Sequence, residues 1–264
     1  MQSVQPRMLA SHLSAARLYD MRLPRRVLQP PSIHLTANGG GGHAPGAVSV
    51  IGHRGPVAGA DIWRRDGIPL TSPARTLLDL SSWNADARRP MLTGDELVAV
   101  IDGVIVEHLT GMHSGVEPLR RKPELVTDIE AFAGRRGARR LRQALERSMP
   151  GVDSPLETET RLVLERHALR GWRTDVELAP PGYRRVWPDL ADPVHRLSLQ
   201  CDGAVHDDER QRIRDIERQR ATEAAGWTEI RVLARDLRVS PWDPPGTEPM
   251  AVRMVRAART ASRR

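Results

Sequence analysis

The feature that most constrains the fold is a break in the helical pattern near the middle of the chain. The segment 149–154, MPGVDS, places Pro and Gly immediately before a new helix start. Ser154 then stands at an N-cap, Pro155 at the first helical position and Glu157 three residues after the cap, a pattern typical of a helix N-terminus. A chain of 264 residues is long enough for two modest domains. We therefore predict three regions, residues 1–150, 151–240 and 241–264, the last a basic tail that forms a short helix or is disordered.

The first region is predicted to combine short strands with helices, an α+β arrangement. A short amphipathic helix is expected within residues 9–24, and β-like runs cover 32–36 and 47–53. Farther along, Ser72 can cap a helix that begins at Pro73. Thr93 with Glu96 forms a second capping pattern. Residues 72–147 are therefore expected to be mostly helical.

The second region alternates helical and strand-like patterns. Its predicted order is helix, three strands, helix and strand, at residues 154–170, 174–178, 183–190, 196–202, 207–225 and 227–233. The short turn at 191–193 joins the second and third strands into a hairpin. In the charged second helix, Ile213, Ile216, Ala221 and Ala224 fall on one helical stripe. The fold class that follows is α/β, with a central mixed sheet flanked by helices.

The charge balance favours polyanionic partners. Lys and Arg outnumber Asp and Glu by 40 to 33, a formal net charge of +7, and such a surplus attracts nucleic acid through counterion release. Lys122 is the only lysine, so arginine supplies almost all of the positive charge. Because this bias also fits a GC-rich coding sequence, both interpretations stay open.

Cysteine use and hydropathy exclude several classes of protein. Cys201 is the only cysteine, which excludes an internal disulfide and a cysteine-based zinc site and fits a reducing compartment. No apolar stretch reaches the roughly 20 residues of a membrane span, and the N-terminal residues lack the apolar core of a secretory signal. The sequence also shows no histidine-rich metal-binding tract. We expect a cytoplasmic protein with no membrane partner and no disulfide partner.

Oxygen-bearing side chains converge at the predicted hairpin. Asp189 closes one arm and Asp202 the other, so both can reach the same end of the sheet. Gln200 lies two residues before Asp202 and shares its face of the strand. Glu157, in the first turn of the preceding helix, can lean over that face. Mg²⁺ and Mn²⁺ take oxygen ligands of this kind and activate water beside a phosphate, so a divalent cation site is expected here.

The motifs of this region resemble a nuclease family. They are SPLE, WPDL, the strand LSLQCDG, His206, Asp215 with Arg218, the Gly-Trp strand entry and Arg231. In that order they are similar to the DUF559 endonuclease domain, a relative of very-short-patch repair endonucleases in the PD-(D/E)XK nuclease superfamily. The resemblance covers about a third of the chain, from Ser154 to Leu237.

The resemblance implies metal ligands. Asp189 matches the family's Pro-Asp ligand, Asp202 the acidic residue before Gly in the second core strand, and Glu157 the acidic residue of the first helix. Gln200 departs from the pattern, because the family usually places a Glu there. A neutral amide is a poorer ligand for a hard cation than a carboxylate.

The resemblance also implies residues around the phosphate. His206 would lie near it, Asp215 and Arg218 would form a pair on the helix, and Arg218 and Arg231 would support the site or contact phosphate. Upstream, SHLSAARLYDMRLP and GIPLTSPARTLLDL resemble the N-terminal part of actinobacterial DUF559 proteins and the AbiEi family of antitoxins, which repress their own operon.

Each candidate also has a structural explanation. Asp202 with Gly203 is an ordinary turn dipeptide, and Glu157 is explained by a capping box with Ser154. His206 can be a surface histidine, and an exposed Asp215–Arg218 pair contributes only a few tenths of a kcal/mol. The leading hypothesis is a metal-dependent DNA endonuclease-like protein. The alternative is a non-catalytic DNA-binding or antitoxin-like regulator built on a decayed nuclease fold.

Overall fold

The chain divides into two compact units in a computed structural model. The structure describes residues 7–28, 32–39, 49–82, 91–111, 113–203 and 209–262. Unit 1 comprises Met1–Ile105 and Pro118–Met149, and unit 2 comprises Val106–Glu117 and Pro150–Arg264. The division after Met149 falls within the MPGVDS segment. The predicted range 1–150 does not anticipate that Val106–Glu117 belongs to unit 2.

Unit 1 is built on a mixed five-stranded sheet. Its strands are β1 (Met8–Ala10), β2 (Ile33–Ala37), β3 (Val50–Arg54), β4 (Ile62–Arg65) and β5 (Ile68–Thr71), in the order β3-β2-β1-β5-β4. β1 with β2 and β4 with β5 are antiparallel, whereas β1 with β5 and β2 with β3 are parallel. Its helices are α1 (His12–Leu18), α2 (Pro73–Ser82), α3 (Gly94–Val104), α4 (Lys122–Glu130) and α5 (Ala138–Glu146).

Local sequence explains several of these boundaries. The backbone amide of Arg75 donates to Ser72 Oγ (3.2 Å), so Ser72 caps α2 as predicted. Thr93 and Glu96 form the predicted capping box of α3, with Thr93 N donating to Glu96 Oε2 (2.6 Å) and Glu96 N to Thr93 Oγ1 (3.2 Å). The hairpin of β4 and β5 was not predicted. Its turn carries Gly67 at φ 78°, a left-handed conformation that glycine adopts without a Cβ clash.

Unit 2 is α/β as predicted, with a three-stranded mixed sheet. Its elements are α6 (Pro155–Arg166), β6 (Leu190–Asp192), β7 (Leu197–Asp202), α7 (Glu209–Ala224), β8 (Thr228–Leu233) and α8 (Met250–Ala261). The strand order is β6-β7-β8, antiparallel between β6 and β7 and parallel between β7 and β8. Among the described residues, no helix of either unit is long and apolar enough to cross a membrane.

Two predicted strands of unit 2 are wrong. Residues 174–178 and most of 183–190 form no regular strand, and they meet only through an isolated antiparallel bridge between Leu178 and Val186. Pro180 and Pro188 have no backbone N–H to donate, which limits ladder formation on both sides of this bridge. The hairpin therefore consists of the short β6 and the longer β7.

The core of unit 2 includes the region predicted to be a tail. Leu197 and Leu199 of β7 and Ile230 and Val232 of β8 alternate onto one face of the sheet, where α6 and α8 pack. The α8 residues Ala251, Val252 and Val255 are each 0% exposed. The segment after residue 240 is therefore part of the domain, and the predicted boundary there is wrong. A few apolar residues are enough to anchor α8 in the core, because they all lie on one face of this helix.

The opposite face of the sheet is polar and carries α7. Thr222 Oγ1 of α7 donates to Glu229 Oε2 of β8 (3.4 Å), which places the helix on this side. The apolar stripe predicted for α7 is mostly exposed: Ile213 and Ile216 are 51% and 49% exposed and Ala224 is exposed too, whereas Ala221 is fully buried. Only the C-terminal half of α7 is therefore anchored in apolar core.

The placement of α8 predicts a cost for truncating its buried side chains. Val252→Ala should lower the free energy of unfolding of unit 2 by about 2 kcal/mol, because the methyl groups leave a cavity. Urea unfolding followed by circular dichroism measures this. Arg253→Ala, on the exposed face of the same helix, is the matched control and should change it by less than about 0.5 kcal/mol. Equal losses of unfolding free energy in the two variants would contradict the packing of Val252 in the core.

Candidate functional site

A cavity of about 270 Å³ in unit 2 brings together four of the residues predicted from the sequence: Glu157, Asp189, Gln200 and Arg218. They come from α6, from the residue before β6, from β7 and from α7. Additional walls come from His108, Asp153, Asp175 and Trp187. Because the four predicted residues lie on different elements, only the folded unit assembles them.

Glu157 enters this cavity from the first turn of α6. Its backbone amide donates to Ser154 Oγ (3.2 Å), the predicted N-cap contact. Its carboxylate accepts from the backbone amide of Asp153 (2.8 Å), so the reciprocal bond goes to the residue before the cap and not to Ser154. Glu157 is 5% exposed. Burial first, and then the negative charge of Asp189, raise the pKa of Glu157 to about 7.

Asp189 lies at the start of the hairpin. The pairing of Leu190 with Leu199 puts Asp189 at the end of the sheet where β7 finishes. Its Oδ2 accepts from the backbone amide of Cys201 (2.7 Å), which fixes the carboxylate beside β7. Burial is the main cause that raises the pKa of Asp189 to about 6, with the Cys201 amide acting in the opposite direction. Glu157 is thus a buried carboxylate, and the negative charge of the half-buried Asp189 disfavours its ionised form.

Gln200 and Cys201 occupy opposite faces of β7. Gln200 is 4% exposed and lines the cavity. The Cys201 thiol instead donates to Thr160 Oγ1 of α6 (3.5 Å). Burial, followed by the charge of Asp189, raises the pKa of Cys201, so the thiolate required of a nucleophile is disfavoured.

Asp202 is not among the described residues that line the cavity. Its Oδ2 is 3.2 Å from Nε of Arg231 on the neighbouring strand β8. The Arg231 guanidinium also pairs with Asp215 (2.6 Å), which in turn accepts from Arg218 Nη1 (3.1 Å). Burial alone would raise the pKa of Asp215, but the hydrogen bond from Arg231 and the charge of Arg218 hold it below its usual range. These residues form an ion-pair network whose member Arg218 also reaches the cavity.

His206 lies outside the residues that the structure describes. A different histidine, His108, lines the cavity instead. Its Nδ1 is 2.7 Å from Asp175 and its Nε2 is 3.1 Å from Asp153. Burial lowers the pKa of His108, but the hydrogen bonds with the two carboxylates outweigh it and raise the pKa above its ordinary value. Sequence reasoning missed His108, because its partners lie 45 and 67 residues away in the chain.

Unit 1 carries a strongly basic groove of about 650 Å³. The arginines that line it are Arg135, Arg136, Arg139, Arg140 and Arg147. Arg140 donates to the backbone oxygens of Ser81 and Leu92 and is fixed in place. Arg139 is exposed on α5. A surface with this many guanidinium groups suits an extended polyanion.

One group of three potential metal ligands is found among the described residues: His12, His34 and His53 of unit 1, whose ligand atoms all lie within 4.8 Å of one another. This group was not predicted, because the three histidines are dispersed along the chain. The carboxylates of the unit 2 cavity form no comparable trio within those described ranges. A cation there would have Glu157, Asp189 and the Gln200 amide as protein ligands, with water completing the shell, as Mg²⁺ tolerates.

Comparison of the chain with protein-family models, curated proteins and solved structures finds no match. The chemistry of the cavity therefore has to be judged from its own residues.

The raised pKa of Glu157 predicts a pH-dependent penalty on stability. Folding raises this pKa from 4.5 to about 7, so the charged form is favoured in the unfolded chain. The wild type should therefore lose stability as the pH rises through that window. Glu157→Gln removes the charge and should gain stability relative to wild type across it, by as much as about 3 kcal/mol. Urea unfolding at several pH values measures the difference.

Glu159→Gln is the matched control for that experiment. Glu159 lies on the same helix with a side chain that is 43% exposed, so its difference from wild type should stay nearly constant with pH. If the difference in unfolding free energy between Glu157→Gln and the wild type were also independent of pH, Glu157 would not be buried beside Asp189.

Proposed function

We propose that unit 2 is a metal-dependent DNA endonuclease domain that hydrolyses phosphodiester bonds with Mg²⁺ or Mn²⁺. The observation that carries the proposal is the convergence of Glu157, Asp189 and Gln200 on one cavity. This donor set consists of oxygen atoms from three separate elements, which is what a hard divalent cation requires. The proposal includes the assignment to the DUF559 type of nuclease made from the motifs.

The electrostatics of the cavity fit a divalent cation. Burial and then the charge of Asp189 raise the pKa of Glu157, and burial, with smaller contributions from Asp202 and Asp153, raises the pKa of Asp189 against the Cys201 amide and Arg218. An added positive charge would stabilise both carboxylates. A cation would supply that charge and lower both pKa values. The hydrogen bond from the Cys201 amide to Asp189 (2.7 Å) and that from the Asp153 amide to Glu157 (2.8 Å) fix one oxygen of each carboxylate beforehand. Such outer contacts orient ligands in metal sites.

The chain's own residues would bind the phosphate and handle protons around such a cation. A bound divalent cation supplies Lewis acidity and an activated water molecule. Arg218 places a guanidinium in the cavity wall, where it can pair with a phosphate oxygen. With a pKa near 7 in the absence of metal, the Glu157 carboxyl can exchange a proton at neutral pH. His108 is hydrogen-bonded to both Asp175 and Asp153, and would hold these residues of the cavity wall in position.

Charge supports nucleic acid as the substrate. The formal net charge of +7 and the basic groove of unit 1 both attract polyanions. Arginine, which supplies nearly all of this charge, binds phosphate in a bidentate way. We infer a cytoplasmic location on the same grounds, because DNA and a reducing environment that keeps Cys201 as a thiol are both found there.

Two observations favour a second candidate, a non-catalytic DNA-binding regulator. Gln200 contributes a neutral amide in place of a third carboxylate. Asp202 is paired with Arg231 (3.2 Å) and does not line the cavity. A cavity with fewer anionic ligands binds a hard cation more weakly. In that case the fold would serve as a scaffold, and DNA would bind without being cut.

Plasmid cleavage separates the two candidates. With Mg²⁺ or Mn²⁺, the wild type should nick or linearise supercoiled DNA, and Asp189→Asn should reduce the rate by more than about 100-fold because a direct ligand is lost. Gln200→Glu should raise the rate by restoring an anionic ligand. Asp202→Asn should have a smaller effect than Asp189→Asn, since its carboxylate is paired with Arg231.

Glu165→Gln is the control for general effects on α6, because Glu165 pairs with Arg161 and is not one of the residues that line the cavity. It should cut like the wild type. Failure of both wild type and Gln200→Glu to cut, with metal-independent DNA binding retained, would contradict the endonuclease and support the regulator.

A further inference from the structure

The three histidines of unit 1 converge from separate elements. His12 is the first residue of α1, His34 lies on β2 and His53 on β3. Because Thr36 pairs with His53 and His34 with Ile51, the two strand histidines lie on the same face of the sheet. His34 is 0% exposed and His12 is 7% exposed. The cluster is therefore inside unit 1 and does not belong to the cavity described above.

The spacing of the ring nitrogens matches a tetrahedral metal site. His34 Nδ1 and His53 Nε2 are 3.0 Å apart, and the ligand atoms of all three histidines lie within 4.8 Å of one another. Two nitrogens bound to one tetrahedral Zn²⁺ lie about 3.3 Å apart, since each is about 2.0–2.1 Å from the metal. The rings of His12 and His53 are stacked, with centroids 3.5 Å apart and an interplanar angle of 13°, so metal binding would require rotation of the rings to turn the three nitrogen lone pairs towards one ion.

A fourth oxygen ligand borders the cluster. Asp79 of α2 accepts from Arg75 Nε through Oδ1 (2.8 Å). Its Oδ2 is buried, has no hydrogen-bond partner among the described residues and lies 3.9 Å from His12 Nδ1. A buried carboxylate oxygen without a partner is costly, because it has lost its water. A cation among the histidines would satisfy it, and Asp79 already neutralises Arg75.

We propose that His12, His34 and His53, completed by Asp79, form a structural Zn²⁺ site in unit 1. Imidazole nitrogens with one carboxylate select a borderline transition-metal ion over Mg²⁺. Burial leaves little room for a substrate, which is typical of a structural centre. The ion would tie the start of α1 to β2 and β3 and to α2. This inference is independent of the nuclease proposal.

Zinc binding by the full chain, purified without a histidine tag and freed of metal with a chelator, tests the proposal. Mass spectrometry of the reloaded and dialysed protein should find one Zn²⁺ per chain, and Zn²⁺ should raise Tm by about 5 °C or more. Co²⁺ in place of Zn²⁺ should give the intense visible absorption of a tetrahedral centre. No retained Zn²⁺, or only the weak spectrum of octahedral Co²⁺, would overturn it without any variant.

Matched variants locate the ion. His53→Gln, at the partly exposed edge of the cluster, should weaken Zn²⁺ binding by more than about 100-fold, with folding checked by circular dichroism. His167→Gln, in unit 2, is the control and should bind Zn²⁺ like the wild type. Unchanged binding by His53→Gln, or an equal loss in the control, would place the ion elsewhere and overturn the assignment.

Discussion

Two carboxylates that line one cavity are the constraint on which the proposed site of unit 2 depends. Burial and then the charge of Asp189 raise the pKa of Glu157 to about 7, and burial is the main cause that raises the pKa of Asp189 to about 6. Such a pair lowers stability at neutral pH unless a positive charge joins it. The surrounding elements hold the two carboxylates in the cavity. The N-cap of α6 positions Glu157, and a backbone amide of β7 binds the Asp189 carboxylate. Helix α7 contributes Arg218 to the cavity wall.

The cavity adjoins a second group of charges on the same polar face of the sheet. Arg231 of β8 pairs with Asp202 (3.2 Å) and with Asp215 of α7 (2.6 Å), and Asp215 accepts from Arg218, which also lines the cavity. Gln200 lines the cavity and is 4% exposed, and its neutral amide supplies no negative charge to a cation.

Local patterns predicted much of unit 2. The capping residues located α6, and the alternation in LSLQCD located β7 and put Gln200 and Cys201 on opposite faces. The features that were not predicted depend on contacts between residues that are distant in sequence. Val106–Glu117 joins unit 2 and supplies His108. In unit 1, the β2–β3 register brings His34 and His53 to one face of the sheet, and α1 adds His12. The β4–β5 hairpin could have been found, since Asp66 and Gly67 form a common turn dipeptide.

Calorimetric titration of Mn²⁺ tests most directly whether Glu157 and Asp189 hold a divalent cation. At about pH 7 the wild type should bind one Mn²⁺ in unit 2 and release protons, because Glu157 is then partly protonated. The double variant Glu157→Gln with Asp189→Asn should lose both the binding and the proton release. Equal Mn²⁺ binding by the wild type and the double variant, or none by the wild type, would contradict the account.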